Sequence, residues 1–96
     1  MLVEQLLKSK RAQILDIASR HGARNVRVFG SVARGEADDT SDIDLVVEFE
    51  PSRSLLDHAQ LWLDLQDLLG CKVDVVSERG IKPRIRDRVL REAIPL

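Results

Sequence analysis

Apolar residues recur over the first twenty positions at the spacing of a helix. Val3, Leu7, Ile14 and Ala18 form a stripe with Leu6 and Ile17 beside it, while Lys8, Arg11 and Asp16 fall outside. The pattern predicts a helix from about Leu2 to Arg20, closed by His21-Gly22-Ala23, where Gly22 can adopt the left-handed cap conformation. The period then shortens to two. Val26-Arg27-Val28-Phe29 reads as a strand that stops at Gly30-Ser31, followed by a short turn or helix through Val32-Ala33-Arg34-Gly35 and a polar loop from Glu36 to Ser41. Asp42 to Phe49 reads as a second strand. Its odd positions, Ile43, Leu45, Val47 and Phe49, share an apolar face, and its even positions are Asp42, Asp44, Val46 and Glu48.

Pro51 interrupts the alternation, and Ser54 with Asp57 three residues on has the form of a capping box. The helix it opens is expected to bury Leu55, Ala59, Trp62, Leu65 and Leu69 and to end at Gly70. Leu56 and Leu63 fall off that stripe, at the edge of a core or on a partner surface. Lys72 to Val76 predicts a third strand with Val73 and Val75 inward and Asp74 on the opposite face. Ile81, Ile85, Val89 and Ala93 space out a closing helix that tolerates Pro83 in its first turn. These elements predict one α/β (α+β) domain over residues 1–96. Its small mixed sheet of three or four strands is covered by helices on the apolar face.

Composition narrows the function classes. A chain of 96 residues buries roughly 60–65% of its unfolded surface, so the core is modest. Phe29, Phe49 and Trp62 are the whole aromatic set, too few for base-stacking platforms, and 15 basic against 16 acidic residues argue against direct nucleic-acid binding. The single Cys71 cannot form an internal disulfide, which fits a reducing compartment. Glu4 and the run Lys8-Ser9-Lys10-Arg11 interrupt any signal-like segment, and no stretch approaches the ~20 apolar residues of a membrane span. A soluble cytoplasmic protein is expected.

The chemistry lies in two segments. Asp42 and Asp44, two apart on a strand, project from one face with Cα atoms roughly 6.5–7 Å apart. Their carboxylates can converge on hard cations such as Mg²⁺. Asp74 occupies the equivalent face of the next strand and joins the cluster if the two strands are neighbours. Three uncompensated carboxylates repel one another, and a divalent ion relieves that repulsion. Gly30-Ser31 stands where a strand gives way to a turn, so its backbone N–H groups can meet a phosphate that glycine allows to approach closely. Arg34, one turn on, can neutralise triphosphate charge. A phosphate cradle beside a carboxylate cluster is the arrangement two-metal phosphoryl transfer requires.

Gly30-Ser31-Val32-Ala33-Arg34-Gly35, with Ser41-Asp42-Ile43-Asp44-Leu45-Val46-Val47, resembles the GSx10DxD signature of the polymerase-β-like nucleotidyltransferases. Lys72-Val73-Asp74-Val75-Val76 resembles the strand that carries their third carboxylate. In length, leading helix and the closing Arg91-Glu92-Ala93-Ile94 the chain is similar to minimal nucleotidyltransferase antitoxins paired with HEPN toxins. The resemblance implies a nucleotidyltransferase fold and metal ions, two of Mg²⁺, on Asp42, Asp44 and Asp74. It makes Asp74 also the general base, and Gly30, Ser31 and Arg34 the triphosphate contacts. It further implies AMP transfer from ATP to a tyrosine of an all-helical HEPN ribonuclease, silencing that toxin. A non-catalytic antitoxin that acts by binding, and a donor subunit acting on a small molecule or an RNA end, are the alternatives.

Other polar residues read as structural. Asp38 and Asp39 suit loop solvation, and Glu48 lies too far down its strand to join the pair. His21 is placed at a helix end and His58 on a helix surface. Arg53 and His58 match the Rx4H spacing of HEPN ribonucleases, but eleven arginines make a chance match easy, and the pair falls inside a βαβ unit. Arg79, Lys82, Arg84, Arg86, Arg88 and Arg91 suit a solvated helix face, with contact to an acidic partner or phosphate as the second reading.

Overall fold

A computed structural model describes residues 3–36 and 42–96; the expected loop positions Asp38, Asp39 and Ser41 lie outside the described residues. The helical stripe at the start folds as α1 (Val3–Arg20), which buries Leu7, Ile14 and Ala18. Four strands follow the predicted order with one addition: β1 (Ala23–Phe29), β2 (Ile43–Phe49), β3 (Val73–Ser77) and a short β4 (Ile94–Pro95). Between them lie α2 (Leu55–Leu69), a 3₁₀ turn over Glu78–Gly80, and α3 (Pro83–Glu92). The mixed sheet has the order β3-β2-β1-β4, with β1 antiparallel to β2 and β4 and with β2 parallel to β3. A parallel neighbour demands a crossover, and α2 supplies it as a βαβ unit.

The core is one cluster between α1 and α2 and the inward sheet face. Ile43, Leu45 and Val47 of β2 are fully buried there, as the alternation requires, with Val73 and Val75 of β3 beside them. Val46 is also fully buried although it faces the other way. Arg27 stands opposite it in the ladder and is itself nearly covered, with Nη1 donating to Glu78 at 3.4 Å.

β1 begins three residues before the strand the alternation predicts, because its period is broken. Ala23, Val26 and Val28 all face the core, a spacing of three and then two. The extra residue is Asn25, held at φ 52 in a β-bulge between the pairs Arg24–Glu48 and Arg27–Val46. Asparagine tolerates that left-handed conformation, and its Nδ2 donates to Glu48 at 2.8 Å.

The predicted capping box opens α2: Ser54 Oγ accepts from the Leu56 amide, and Asp57 accepts from the Ser54 amide at 3.0 Å. Gly70 closes it at φ 66. The expected core stripe of this helix is only half right. Leu61, Leu65 and Leu69 are buried, whereas Leu55 is 85% exposed, Ala59 is exposed and Trp62 is 39% exposed. The outer strand edge explains the rotation. β3 leaves one row of peptide groups unpaired, and α2 turns polar side chains toward them. Trp62 Nε1 donates to the Val73 carbonyl at 2.6 Å, His58 Nε2 meets the Val75 carbonyl at 2.6 Å, and the Val73 amide donates to Gln66 at 3.3 Å. His58 also lies against the Phe49 ring, so it ties α2 to the sheet and is not a plain surface residue.

The closing segment departs from its prediction as well. Ile81 is buried but precedes the helix, Pro83 is the first residue of α3, and α3 buries no side chain fully; Ile85 is 43% exposed.

Leu61→Ala should cost about 2–5 kcal/mol, the range for opening a cavity in a core, whereas Leu55→Ala should stay within about 0.5 kcal/mol. Urea denaturation of the two variants checks this, and equal losses would contradict the observed rotation of α2.

Candidate functional site

Three strands bring the chemical residues into one row. Phe29 pairs with Asp44 across the antiparallel ladder, and Asp44 pairs with Asp74 across the parallel one. The three side chains therefore stand abreast on the face away from α1 and α2, with neighbouring strands about 4.8 Å apart. The condition on Asp74 is met: β3 is the immediate neighbour of β2. Asp42 lies one residue before β2 and is exposed, with Oδ2 3.7 Å from Nζ of Lys72.

The electrostatics record this crowding. The Asp44 carboxyl is pushed above its ordinary range, first by burial and then by the charges of Asp74 and Asp42, with Arg34 pulling the other way. Burial, with the Asp42 charge second, likewise pushes up the Cys71 thiol. Among the described residues no three carboxylate, imidazole or thiolate groups stand close enough to enclose an ion as they are.

Gly30 supplies the second half of the site. It sits at φ +73, and a Cβ on it would lie 2.5 Å from Asp44 Oδ2. Only glycine lets the chain turn here while the carboxylate stays in place. The turn that follows is closed by Arg34 N–H to the Gly30 carbonyl at 3.1 Å and Glu36 N–H to the Ser31 carbonyl at 2.9 Å. Val32 anchors it in the core, a buried position that the short polar-flanked segment did not advertise. Among the described residues the amides of Ser31, Val32 and Ala33 donate to nothing, so they remain available to an anion.

Arg34 is placed less simply than expected. Its guanidinium is shared between Glu36 at 3.1 Å and Glu92 of α3 at 3.2 Å, and Glu36 is the first cause of its raised pKa. It still lies within the field of Asp44, so a triphosphate would compete with two carboxylates for it.

The residues read as structural are occupied structurally. Glu48 accepts from Asn25, which with Arg24 and Arg27 nearby lowers its pKa. His21 Nε2 meets Asp64 at 2.7 Å and joins the end of α1 to α2. Arg53 pairs with Glu50 and Asp57, while His58 is bonded to the edge of β3, so each is engaged in a separate structural contact. Lys82, Arg84, Arg86, Arg88 and Arg91 are exposed along α3.

A carboxyl whose folded pKa is raised binds its proton more tightly folded than unfolded. Stability therefore falls as pH rises from the unfolded value of about 3.8 through the raised folded value, and the deficit persists above it. Asp44→Asn should raise the melting temperature of the metal-free protein at neutral pH, and the gain should vanish in acid. Thermal melts across that range check it; a destabilised Asp44→Asn protein at pH 7 would contradict the repulsion.

Comparison with known proteins points the same way. The family described as "Nucleotidyltransferase domain" matches residues 11–96. The protein adenylyltransferase MntA of Thermococcus cleftensis is 38% identical over 94 residues, covering 98% of this chain and 95% of the relative. A solved structure described as a "putative minimal nucleotidyltransferase" superposes with a TM-score of 0.89 at 60% identity, covering 100% of this chain and 97% of the other. A toxin–antitoxin crystal structure with AMP-PNP shares the fold, with a TM-score of 0.75 at 21% identity over 88% of this chain and 69% of that one. The row of Asp44 and Asp74, the Gly30 turn pressed against it and these likenesses lead to one assignment: the chain belongs to the nucleotidyltransferase domain family.

Proposed function

We propose that the protein transfers AMP from ATP to a hydroxyl on a partner protein, a tyrosine of an all-helical HEPN-type toxin, and thereby acts as its antitoxin. The observation that carries the reading is the alignment of Asp44 with Asp74 across two parallel strands, beside a glycine turn whose amides are unengaged among the described residues. The protein-adenylyltransferase name of the 38% identical relative supports the reaction, and the toxin–antitoxin neighbours support the partner.

The residues present fit divalent cations. The donors are all oxygen, and Asp44 is raised by burial and then by the charges of Asp74 and Asp42, which a cation would offset. Asp42, Asp44 and Asp74 would hold Mg²⁺, as two ions in this proposal. Bound there, magnesium would neutralise the triphosphate and stabilise charge developing at the α-phosphate.

The chain's own groups account for the remaining steps. The amides of Ser31 to Ala33 and the Ser31 hydroxyl hold the triphosphate, and Arg34 exchanges Glu36 and Glu92 for phosphate oxygens. The acceptor oxygen attacks the α-phosphorus and its proton passes to Asp74. The bond to the bridging oxygen breaks, and pyrophosphate leaves.

The test is incubation with α-labelled ATP, Mg²⁺ and the co-expressed partner protein. The partner should gain AMP by intact mass. The Asp42→Asn/Asp44→Asn double variant should lose about a thousandfold in rate, several kcal/mol of charge stabilisation. Neutralisation of the partner without any label, undisturbed in that variant, would instead establish an antitoxin that acts by binding alone.

In a separate titration Ser31→Ala should weaken ATP about tenfold or more, as loss of a hydrogen bond to a charged group predicts, and Gly30→Val should weaken it further. Calorimetric ATP affinities check this. Equal, negligible effects would make the turn purely structural.

A further inference from the structure

The near-even charge total, which argues against nucleic-acid binding over the chain as a whole, conceals a segregation. Arg79, Lys82, Arg84, Arg86, Arg88 and Arg91 fall within residues 79–91, where Asp87 is the only acid, so the rest of the chain carries an excess of acidic groups. All of these cations are exposed; Lys82 caps α3 and the last four lie within it. Among the described residues Arg79, Lys82, Arg84 and Arg86 meet no carboxylate. Arg88 lies 3.4 Å from Glu92, which also takes Arg34, and Arg91 Nε donates to the Asp87 carbonyl at 3.3 Å. The charges do not serve the helix. Its first turn contains no acid, and cations there oppose the macrodipole. A solvated face ordinarily interleaves both signs three and four residues apart, and Arg88–Glu92 is the only such pair on α3 among the described residues.

We infer that Arg84, Arg88 and Arg91 bind the phosphodiester backbone of a nucleic acid, a function separate from nucleotidyl transfer at Asp44 and Asp74. The three stand four and three residues apart, so they form one row, about 10 Å long at about 1.5 Å per residue. Phosphates of one strand follow at about 3.4 Å along the axis, so the row spans about three of them. The planar guanidinium fork takes two phosphate oxygens at once. An acidic protein is the competing partner, and the surface disfavours it. Protein interfaces close around an apolar centre depleted of charge, whereas Ile85, 43% exposed, is the only large apolar side chain that α3 exposes. The exposed leucines that a protein would cover, Leu55, Leu56 and Leu63, lie on α2 instead. Nucleic-acid interfaces are more polar and much more positive. Residues 79–91 include no aromatic side chain to stack on bases, so the contacts are to the backbone and read no sequence.

The probes are a fluorescent single-stranded RNA of mixed sequence, a DNA duplex, and polyglutamate of equal charge, each followed by anisotropy as salt rises. The nucleic acids should bind with a Kd of roughly 10⁻⁴–10⁻⁶ M at physiological salt. Three contacts predict a slope of log K on log salt of about −2 for the single strand or about −3 for the duplex. Binding of either form supports the inference, and the tighter one identifies the source of the phosphates. Arg84→Gln should remove about 0.7–0.9 of that slope. Arg84→Gln/Arg91→Gln should cut the slope to about a third and weaken binding about tenfold or more. Lys8→Gln/Lys10→Gln, which removes the same charge from α1, should change neither. Both double variants should keep the parent's helical circular dichroism and its ATP affinity. Absent or salt-independent binding, an equal loss in the α1 variant, or equal or tighter binding of polyglutamate would each overturn the inference.

Discussion

Two carboxylates held side by side on neighbouring parallel strands are the constraint around which this domain is arranged. Asp44 and Asp74 share a ladder position, and burial, with their repulsion second, already raises the Asp44 carboxyl. Nothing local favours that placement. It is imposed by the buried valines, leucine and isoleucine that alternate with the aspartates and fix the register of β2 against β3. A slip of one residue would bury both charges and expose the core face, so hydrophobic burial enforces the electrostatic strain. Functional sites commonly carry such local cost, offset by the rest of the fold.

The neighbouring elements follow from that pair. Gly30 must lack a side chain because Asp44 Oδ2 occupies the space where one would be. Val32 is buried so that the turn stays pressed against the row, and Arg34 spans from the turn to Glu92 on α3, tying the closing helix to the site. On the other side α2 must both cross between parallel strands and seal the exposed edge of β3. It does the second with Trp62, His58 and Gln66, and the consequence is an outer face carrying three exposed leucines. Crossover and edge protection thus leave an apolar surface along the outer face of α2 beside the β3 edge.

Membership of the nucleotidyltransferase domain family is consistent with so small a chain because strands do the positioning. Asp42 and Asp44 come from the start of one strand, Asp74 from the next, and the Gly30 turn from the end of a third. The Asp42 carboxylate stays exposed and near Lys72, and Arg34 stays paired with glutamates, so both are held by contacts that a charged ligand can displace. Exposed ion pairs of this kind contribute little to stability, which makes the exchange inexpensive.

The period-two alternation in Ile43–Phe49 and Val73–Ser77 was enough to place Asp44 and Asp74 on the polar face, because side-chain direction in a strand is a local property. The Ser54–Asp57 box and Gly22 and Gly70 marked helix ends for the same reason: capping is settled within a few residues. Three features depended on contacts distant in sequence. The bulge at Asn25 shifts Ala23 inward, and the broken period hid it. β4 is two residues long and exists only because β1 offers it an edge. The rotation of α2 was the largest miss: Leu61 displaced Trp62 and Leu55 from the core. Apolar residues surround most of that helix, so its stripe is ambiguous by itself, and the unpaired carbonyls of β3 decided which face turned inward. The chemistry was therefore written in local spacing, whereas the surface flanking Asp74 was decided by the hydrogen-bonding demand of a strand edge that only the assembled sheet possesses.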